Sequence, residues 1–580
     1  MQSKHEWDQE VDLVVLGAGP AGMTAALVAA SLGLRPLLIE KTEQVGGTGA
    51  TSAGTIWIPG NRPSRDAGFK DSEREGAVYM DALIGAPDSA GLRAAYLSSG
   101  PEMVDYLHTH SEVRFLPSGK HPDYRDLPGS AVFGRALYPQ MFDARQLGAD
   151  FERVRPPIPE FLLFGGMMAG KVDIPHLVGR FRSWRNFSHT ARLVLRYLTD
   201  RLRYSRGTRL VMGNALIARL YLSLRKREVP VLFDACVTEL VMDAGRVSGV
   251  LVQSQGKTLR VAAHKGVFLA TGGFGRDPQL RQKLMPQPLA PYSIAAPGNT
   301  GDGIRLGLQA GARLDEDGQG PGAFWSPVSV TQRKDGSQGL YPHLLLDRAK
   351  PGLIAVNSAG KRFVNEACSY HDFVLAMYAS HQKVPTMPAY LICEAGFVTK
   401  YGLGNVYPGT TDLGPAEESG YLVTAQTISQ LAETLGIDQK ALSDTVKRYN
   451  ALAREGKDLD FGKGDSELNR FNGDPDHGPN PCLAPIETGP FVALALWPAE
   501  IGTSAGLQTN LDAQLLDANG HVIEGLYAIG NDMASIMAGT YPGPGTTIGP
   551  AMTFAYRAVM HAAGKPVPVR QVGEDVPGGK

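Results

Sequence analysis

The stretch VDLVVLGAGPAG, residues 11–22, decides how the first part of this chain folds. The run VDLVVL is short and mostly apolar, which is typical of a buried parallel β-strand. The glycine turn GAGPAG follows it, and the alanine-rich residues Met23–Leu34 predict a helix after the turn. Arg35–Ile39 predicts a second strand, which ends at Glu40. Strand, helix and strand in this order indicate a βαβ unit.

The glycines of the turn indicate a site for a dinucleotide. Gly17 permits the tight turn, Gly19 lets the backbone approach a pyrophosphate, and Gly22 lets helix and strand pack closely. The N-terminus of the following helix offers N–H groups and a positive dipole to the phosphates. Glu40, at the end of the second strand, can accept hydrogen bonds from ribose hydroxyls. The predicted contacts in this segment are Gly17, Ala18, Gly19, Pro20, Ala21, Gly22, Glu40 and Lys41.

Three further glycine-rich parts of the chain are candidates for the same site. The loop Gly46–Gly54 comes just after the second strand, and VFLATGG, residues 267–273, predicts a strand that returns to the same sheet. Near the other end of the chain, Gly525–Asp532 is followed by Gly543–Gly549, where a helix is predicted to start near Thr546 with a threonine cap. The candidate contacts are Gly46, Gly47, Thr48, Ser52, Ala53, Gly54, Thr271, Gly272, Gly273, Gly530, Asn531, Thr546, Thr547 and Ile548.

These four parts, in this order, resemble the flavoprotein family of fumarate reductase and 3-ketosteroid dehydrogenase. The resemblance implies FAD as the cofactor, with the helix near Thr546 facing the pyrimidine end of the flavin. It also implies an α/β fold, in which a Rossmann-like FAD-binding domain of the glutathione-reductase type carries an inserted α+β catalytic domain. In this interpretation residues 1–318 and 480–580 form the two parts of the FAD-binding domain, and residues 319–479 form the substrate domain.

The resemblance is more specific to one branch of the family. In succinate dehydrogenase flavoproteins a histidine soon after the glycine-rich loop attaches FAD covalently, whereas Ser52–Pro59 contains no histidine, so FAD is expected to bind non-covalently. The segment Gly46–Asn61 instead looks like the pattern of 3-ketosteroid Δ1-dehydrogenases. Three more segments match that pattern, namely Pro122–Tyr124, Arg362–Phe373 and Tyr541–Gly545.

This branch implies a mechanism for desaturation next to a ketone, which must polarise the ketone, remove a proton and accept a hydride. The resemblance assigns the steroid C3 oxygen to an oxyanion hole made by the Tyr541 hydroxyl and the Gly545 N–H. It assigns the C2 proton to Tyr370, assisted by a hydrogen bond from Tyr124, and the C1 hydride to flavin N5. The implied function is 3-ketosteroid 1,2-desaturation in steroid or sterol catabolism. Asn365 and Glu366 are interpreted as structural hydrogen-bonding groups.

Two classes of alternative function stay open at this point. A 3-ketosteroid Δ4-dehydrogenase or a fumarate-reductase-like enzyme would share the fold. Fumarate would need converging arginine and histidine side chains for its two carboxylates, and residues 319–479 present no clear set. A flavin-free interaction protein of the same fold is the non-enzyme alternative, because a fold does not determine a function. A yellow colour of the purified protein would separate the enzymes from the interaction protein.

Residues 151–212 look like an insertion and, with His121, depart from the compact members of the family. Within 180–209 there are nine arginines and one acidic residue, Asp200. Apolar residues recur there at helical spacing, with arginines around them: Ala191, Val194, Leu195, Leu198 and Leu202 against Arg192, Arg196, Arg201, Arg203 and Arg206. Two interpretations are open, namely a solvated helix face and a peripheral contact of 180–209 with anionic lipid.

Composition restricts the partners and the compartment. The net charge of −1 provides no overall field that would attract nucleic acid. The four cysteines lie far apart without a CxxC pair, which predicts a reducing cytoplasm and neither a metal site nor iron–sulfur ligands. Electrons are therefore expected to leave to an external acceptor, a quinone or similar. Because a steroid and a quinone both dissolve in membranes, the inner face of the membrane is the second expected location.

Overall fold

The first strand, Gln9–Leu16, lies inside the larger of two main sheets. The computed structural model describes residues 6–88, 90–170, 172–316, 320–333, 335–344 and 347–570. Across this sheet the strand order is Gln514–Leu516, Val522–Ala528, Lys257–Leu269, Gln9–Leu16, Pro36–Ile39 and Val231–Leu232, and Arg246–Ser254 and Ala235–Asp243 continue antiparallel from Lys257–Leu269.

The parallel part of this sheet joins the two ends of the chain. Leu13–Leu16 pairs in parallel with Pro36–Ile39 on one side and with Gly266–Leu269 on the other. The end of Lys257–Leu269 pairs in parallel with Leu526–Ala528. The prediction that VFLATGG returns to the sheet of the first strand is therefore confirmed. The loops that follow these strands meet at one edge, because the carboxyl ends of parallel strands point the same way.

The helix Pro20–Ser31 packs between this sheet and two other helices, Met212–Lys226 and Ile548–Ala562. Its residues 21–29 are all buried, which explains why its sequence is apolar on every side. It begins three residues before the predicted start at Met23, because proline is accommodated at the first helical position, where no N–H is required.

The second main sheet is built from the middle of the chain. Its strand order is Gln338–Pro342, Ala323–Gln332, Phe491–Thr503, Ala389–Glu394 and Leu353–Val356, with Tyr292–Ser293 and Val423–Ala425 also paired to Phe491–Thr503. The domain boundaries at 318/319 and 479/480 stay predictions. The strand Phe491–Thr503, which follows the second of them, pairs within this second sheet.

Two small sheets and the remaining helices complete the described elements. The small sheets are Ile56–Trp57, Ala136–Pro139 and Phe115–Pro117, and Phe142–Asp143 with Arg209–Leu210. The helices are Gly47–Thr51, Arg62–Asp66, Glu73–Ile84, Leu92–His110, Ile174–Val178, Trp184–Asp200, Pro278–Leu284, Asp302–Gln309, Tyr370–His381, Ala395–Tyr401, Gly414–Glu418, Ile428–Leu435, Gln439–Glu455 and Glu467–Asn472, with 3-10 turns at Ala144–Arg153, Pro159–Phe161 and Gly530–Asp532.

The insertion contains the 3-10 turn Pro159–Phe161, the short helix Ile174–Val178 and the 17-residue helix Trp184–Asp200. The strand pair Phe142–Asp143 with Arg209–Leu210 lies at its base. Among the residues that the structure describes, no helix has the length and apolarity needed to cross a bilayer.

Candidate active site

The turn after the first strand has the geometry that a pyrophosphate requires. Gly17 has a φ of +98°, and a Cβ on it would lie 2.3 Å from the carbonyl oxygen of Ala270. A Cβ on Gly22 would lie 1.9 Å from the carbonyl oxygen of Gly17. A Cβ on Gly19 would contact nothing within 4 Å. Two of the glycines are therefore required by protein packing, and the third leaves open space at the helix N-terminus for a ligand.

The carboxylate of Glu40, the predicted ribose contact, shapes this turn. One of its oxygens accepts from the N–H of Ala18 at 2.8 Å. The other accepts from the N–H and the hydroxyl of Thr42, at 3.0 and 2.9 Å. A carboxylate offers about four acceptor positions, so it can still accept from ribose hydroxyls. Lys41 points elsewhere, since its ammonium contacts Asp302 and Thr300 at 2.6 Å each.

We expect Glu40→Ala to lose bound FAD, with a weakening of roughly 10-fold or more, because one charge-assisted hydrogen bond is worth about 1.5–3 kcal/mol. Flavin released by acid precipitation and measured by absorbance per mole of protein is the readout, and circular dichroism checks the fold. The matched control is Glu43→Ala, since Glu43 lies three residues further on and its side chain is exposed. Unchanged flavin affinity in Glu40→Ala would contradict the assignment of Glu40 as a ribose contact.

The same acid precipitation of the wild type tests non-covalent binding. Flavin that stays in the acid pellet of the wild type would contradict non-covalent binding.

The other glycine-rich segments close around the same place. The N–H of Gly46 donates to the carbonyl of Ala18 at 2.8 Å. The Thr48 hydroxyl oxygen accepts from the N–H of Ala296 at 2.9 Å and from the side-chain amide of Asn299 at 3.1 Å. The predicted cofactor contacts thus come together from residues 17–54, 271–273 and 530–548, and their individual roles stay predictions.

Sequence reasoning missed Asp532, which holds the two distant glycine segments together. Its buried carboxylate accepts from the N–H and hydroxyl of Thr271 and, at 2.9 Å, from the N–H of Gly273. Burial raises the pKa of this carboxyl to about 6. The signal was present, because Asp532 directly follows Gly530 and Asn531, but only the pairing with 271–273 reveals its role.

The predicted threonine cap at the last helix is wrong. That helix begins at Ile548 with Thr547 at the N-cap position, and no side chain there caps it. The Thr546 hydroxyl instead donates back to the carbonyl of Gly543 at 2.6 Å, which closes the turn that carries Tyr541–Gly545. A short hydroxyl can satisfy either partner, and here the tight turn before the helix takes it.

The three tyrosines predicted to be catalytic meet in one buried cluster. The Tyr124 hydroxyl lies 3.2 Å from that of Tyr370. The ring of Tyr541 stacks on Tyr124 with centroids 5.7 Å apart and meets Tyr370 edge-on at 5.2 Å. All three side chains are buried, and burial raises the pKa of each phenol well above its usual value near 10.

A helix cap and an ion pair hold Tyr124 and Tyr370 side by side. Tyr370 is the first residue of the helix Tyr370–His381, which Ser369 caps. Arg125, the neighbour of Tyr124, forms a two-pronged ion pair with Asp372 in the first turn of that helix, at 2.7 and 3.0 Å. The pair fixes the segment of one tyrosine against the helix of the other.

The loop after Tyr541 fits only glycine at its end. Gly545 has a φ of +97°, and a Cβ on it would lie 2.5 Å from both the Ile56 Cα and the Thr55 oxygen. The N–H of Gly545 has no hydrogen-bond partner among the described residues. The loop therefore presents a free backbone donor close to the Tyr541 segment, which is what an oxyanion hole needs.

A buried ionic network supports this loop and was also missed from the sequence. Asp123 accepts from the indole N–H of Trp57 at 2.7 Å and from Arg135 at 2.6 Å. Trp57 in turn packs against Gly543, where a Cβ would lie 2.7 Å from its ring. Burial raises the pKa of Asp123 to about 6. Through the ring of Trp57, the network links Asp123, the residue before Tyr124, to Gly543 of the loop.

The neighbouring polar residues are structural, as the sequence analysis expected. The Glu366 carboxylate accepts from Arg362 at 2.8 Å and from the N–H of Ala355 at 3.1 Å. The amide of Asn365 donates to the carbonyl of Gly462 at 3.1 Å. His371 beside Tyr541 is buried, and burial lowers its pKa to about 4, so its imidazole is neutral near pH 7.

Fold and site together define a dehydrogenase that uses FAD. The family model described as FAD binding domain matches residues 12–548. The chain is 39% identical to a 4-oxocyclohex-2-ene-1-carboxylate 5-dehydrogenase of Sinomonas cyclohexanicum, over 94% of this chain and 92% of that protein. It is 36% identical to a 3-oxosteroid 1-dehydrogenase of Mycolicibacterium smegmatis, over 96% of this chain and 97% of that protein.

A solved structure of a 3-ketosteroid dehydrogenase also matches the chain. The crystal structure of 3-ketosteroid Δ1-dehydrogenase from Sterolibacterium denitrificans, in complex with 1,4-androstadiene-3,17-dione, superposes with a TM-score of 0.88. The two sequences are 36% identical, over 96% of this chain and 100% of that chain. The chain belongs to the FAD binding domain family and, within it, to the family of flavoenzymes that contains the 3-oxosteroid 1-dehydrogenases. The expected fold class, FAD as cofactor and dehydrogenase activity are confirmed.

Proposed function

We propose that this protein catalyses the 1,2-desaturation of a 3-ketosteroid. The observation that carries the proposal is the buried cluster of Tyr124, Tyr370 and Tyr541 beside the loop that ends at Gly545. The cluster offers a donor pair for a carbonyl oxygen and a separate phenol for a proton. Removal of a proton next to a ketone needs both groups at once.

In the proposed reaction Tyr541 and Gly545 bind the C3 oxygen. The Tyr541 hydroxyl and the Gly545 N–H donate to this oxygen and stabilise the negative charge that develops on it. This makes the C2 proton more acidic before any base acts on it. The position requires glycine, because a Cβ there would lie 2.5 Å from the backbone of Thr55 and Ile56.

In the proposed reaction the deprotonated form of Tyr370 accepts the C2 proton and becomes a neutral phenol. The Tyr124 hydroxyl at 3.2 Å can donate to this phenolate and stabilise it before the proton is transferred. Burial has the largest effect on the pKa of Tyr370 and raises it, whereas the positive charge of Arg348 lowers it. When bound, FAD would supply the acceptor for the C1 hydride, and the glycine-rich segments 17–54, 271–273 and 530–548 would hold it.

The charges around the cluster favour a neutral ketone over a ketone that carries a carboxylate. Arg125 is paired with Asp372, and Arg348 donates to the carbonyls of His343, Leu344, Glu366 and Cys368. The described aromatic neighbours are Phe324 and the neutral His371. A ring substrate with a free carboxylate would need an unpaired cation. The relative from Sinomonas cyclohexanicum makes such a substrate the second candidate.

A substrate panel tests the proposal. Anaerobic flavin reduction is followed by stopped flow with 3-ketosteroids that differ in the side chain, with 5α-reduced 3-ketosteroids, with 4-oxocyclohex-2-ene-1-carboxylate and with 4-oxocyclohexanecarboxylate. Reoxidation of the reduced enzyme by fumarate is measured alongside. We expect fast reduction by a 3-ketosteroid and a 1,2-unsaturated product by mass and NMR. Faster reduction by an oxocyclohexane carboxylate would overturn the steroid assignment, and a 4,5-unsaturated product would overturn the regiochemistry.

The acceptor and the location are part of the proposal. Each turnover leaves two electrons on the flavin, so an external acceptor must take them, and we propose a quinone or similar compound. The free cysteines Cys236, Cys368, Cys393 and Cys482 are consistent with a reducing cytoplasm. Because steroid and quinone are both soluble in lipid, the proposed location is the cytoplasm with peripheral attachment to the inner face of the membrane.

A further inference from the structure

The helix Trp184–Asp200 exposes the side that a surface helix of a soluble protein normally buries. Surface helices normally bury their apolar stripe and expose their polar one. Here Tyr197 and Asp200 are the buried residues. Trp184 is 80% exposed, Leu195 is 62% exposed and Leu198 is 55% exposed. The apolar stripe therefore points away from the protein.

The exposed apolar residues extend beyond this helix. Phe181 just before it is 82% exposed and Leu202 just after it is 83% exposed. Ten of the eighteen large hydrophobic side chains that are exposed among the described residues lie between 164 and 202: Phe164, Val172, Ile174, Val178, Phe181, Trp184, Phe187, Leu195, Leu198 and Leu202. We name these ten side chains the apolar face. Such a concentration marks an interaction site rather than scattered surface residues.

Ion pairs hold the inner side of the insertion against the protein. Asp200 accepts from Arg145 and from Thr208. Arg196, on the same helix, pairs with Asp143 at 2.9 Å. The outward direction of the apolar face is therefore a fixed feature, because the polar side has its partners on the protein. Arg206, predicted to lie around the apolar residues of this helix, is instead buried over the ring of Phe151 and donates to Asn214.

The other arginines surround the apolar face without carboxylate partners. Within the described part of the chain, ion pairs on this segment involve Arg196 and Arg209. The arginines that have no such pair there are Arg180, Arg182, Arg185, Arg192, Arg201 and Arg203. Cations that border an exposed apolar stripe complement a surface that combines negative headgroups with a hydrocarbon interior.

We infer that the apolar face docks this protein onto a bilayer that contains anionic phospholipid. Phe181, Trp184 and Leu202 enter the boundary between headgroups and acyl chains, while the six arginines without carboxylate partners contact phosphate groups. The helix Trp184–Asp200 spans about 25 Å at about 1.5 Å per residue, and it lies flat on the surface rather than across the membrane. The inference is independent of the proposed reaction, since it rests on the insertion alone.

Vesicle sedimentation with the purified full-length flavoprotein tests the inference. The vesicles contain phosphatidylcholine alone or phosphatidylcholine with phosphatidylglycerol, at low and high salt. One variant combines Leu195→Ser, Leu198→Ser and Leu202→Ser. Another combines Arg185→Gln, Arg192→Gln and Arg203→Gln. The matched controls are Leu459→Ser, at a leucine that is 64% exposed elsewhere, and Arg74→Gln with Lys383→Gln and Lys457→Gln.

We expect the wild type to bind the anionic vesicles and to be released by salt. The arginine variant should bind on the order of 100-fold more weakly, because each surface cation contributes about 1 kcal/mol on an anionic membrane. The leucine variant should bind at least about 10-fold more weakly, since each substitution removes apolar surface that the bilayer would bury. Both controls should bind like the wild type. Tryptophan emission should shift to the blue on vesicle addition, and Trp184→Phe should remove that shift.

Three results would overturn the inference. The first is no binding of the wild type to anionic vesicles at low salt. The second is equal binding to both kinds of vesicle, or an equal loss in the controls. The third is a dimer in size-exclusion chromatography that the leucine variant dissociates, without vesicle binding, which would assign the apolar face to a second copy of this chain. Flavin content and steroid-dependent flavin reduction in detergent show that each variant is folded, and they also separate this inference from the proposed reaction.

Discussion

Tyr370→Phe is expected to lower the rate of flavin reduction by a saturating 3-ketosteroid by ~10²–10⁴-fold, the contribution typical of a general base. The change removes one oxygen and keeps the ring, so the contacts with Tyr124 and Tyr541 remain. FAD content should stay close to that of the wild type, because the predicted FAD contacts lie in other segments, namely 17–54, 271–273 and 530–548. Stopped-flow absorbance of the flavin measures the rate directly. A mutant that reduces its flavin at the wild-type rate would remove Tyr370 as the base.

The pH dependence provides a second readout for the same residue. Burial raises the pKa of Tyr370 well above 10, so the phenol is protonated at neutral pH. Below that pKa, the deprotonated fraction rises about tenfold per pH unit. The wild-type rate of flavin reduction should therefore increase with pH across the stable range, whereas Tyr370→Phe should lose this increase. A residue that is only structural would lower the rate without changing the pH profile.

Tyr378→Phe is the matched control for this substitution. Tyr378 lies on the same helix, is also buried, and packs its ring against Trp325 at 5.5 Å. Loss of its hydroxyl tests whether removal of any buried phenol from this helix impairs the enzyme. We expect a rate within a few-fold of the wild type, because the ring contacts of the tyrosine cluster do not involve Tyr378.

Tyr541→Phe is expected to lower the rate by ~10²–10³-fold and also to weaken steroid binding, because it removes one donor of the oxyanion hole. The carbonyl oxygen accepts from this hydroxyl before and during the reaction, so both steps are affected. Tyr370→Phe, in contrast, should leave binding intact. Titration of the flavin spectrum with a product steroid measures the dissociation constant separately from the rate. Equal steroid affinity in the wild type and in Tyr541→Phe would contradict a contact with the C3 oxygen.

Tyr79→Phe controls for disturbance of the loop. The Tyr79 hydroxyl donates to the carbonyl of Pro542 at 2.8 Å, next to Tyr541. Its loss should loosen the same loop while every donor to the steroid stays in place. We expect a smaller loss of rate than in Tyr541→Phe. A loss as large as that of Tyr541→Phe would show that the position of the loop, and not the hydroxyl of Tyr541, limits the reaction.

The glycines of the predicted FAD site could be found from the sequence because the backbone requirements at these positions are local. Gly17 and Gly22 are needed where a turn and a helix approach another backbone within a few residues. Such constraints appear directly in a contiguous motif. The partners Asp532 and Asp123 were not predictable in the same way, since each acts on groups far away in the chain.

The sequence by itself determined the α/β fold, FAD as the cofactor and the dehydrogenase family, because short segments carry the backbone requirements of the cofactor. The resemblance assigned Tyr124, Tyr370 and Tyr541 to one reaction, but only the tertiary structure decided that their rings are buried and in contact, since long-range packing brings segments hundreds of residues apart together. It also decided that the helix Trp184–Asp200 turns its leucines outward. Helical periodicity gives two faces but not their direction, which depends on the ion pairs available on the rest of the protein.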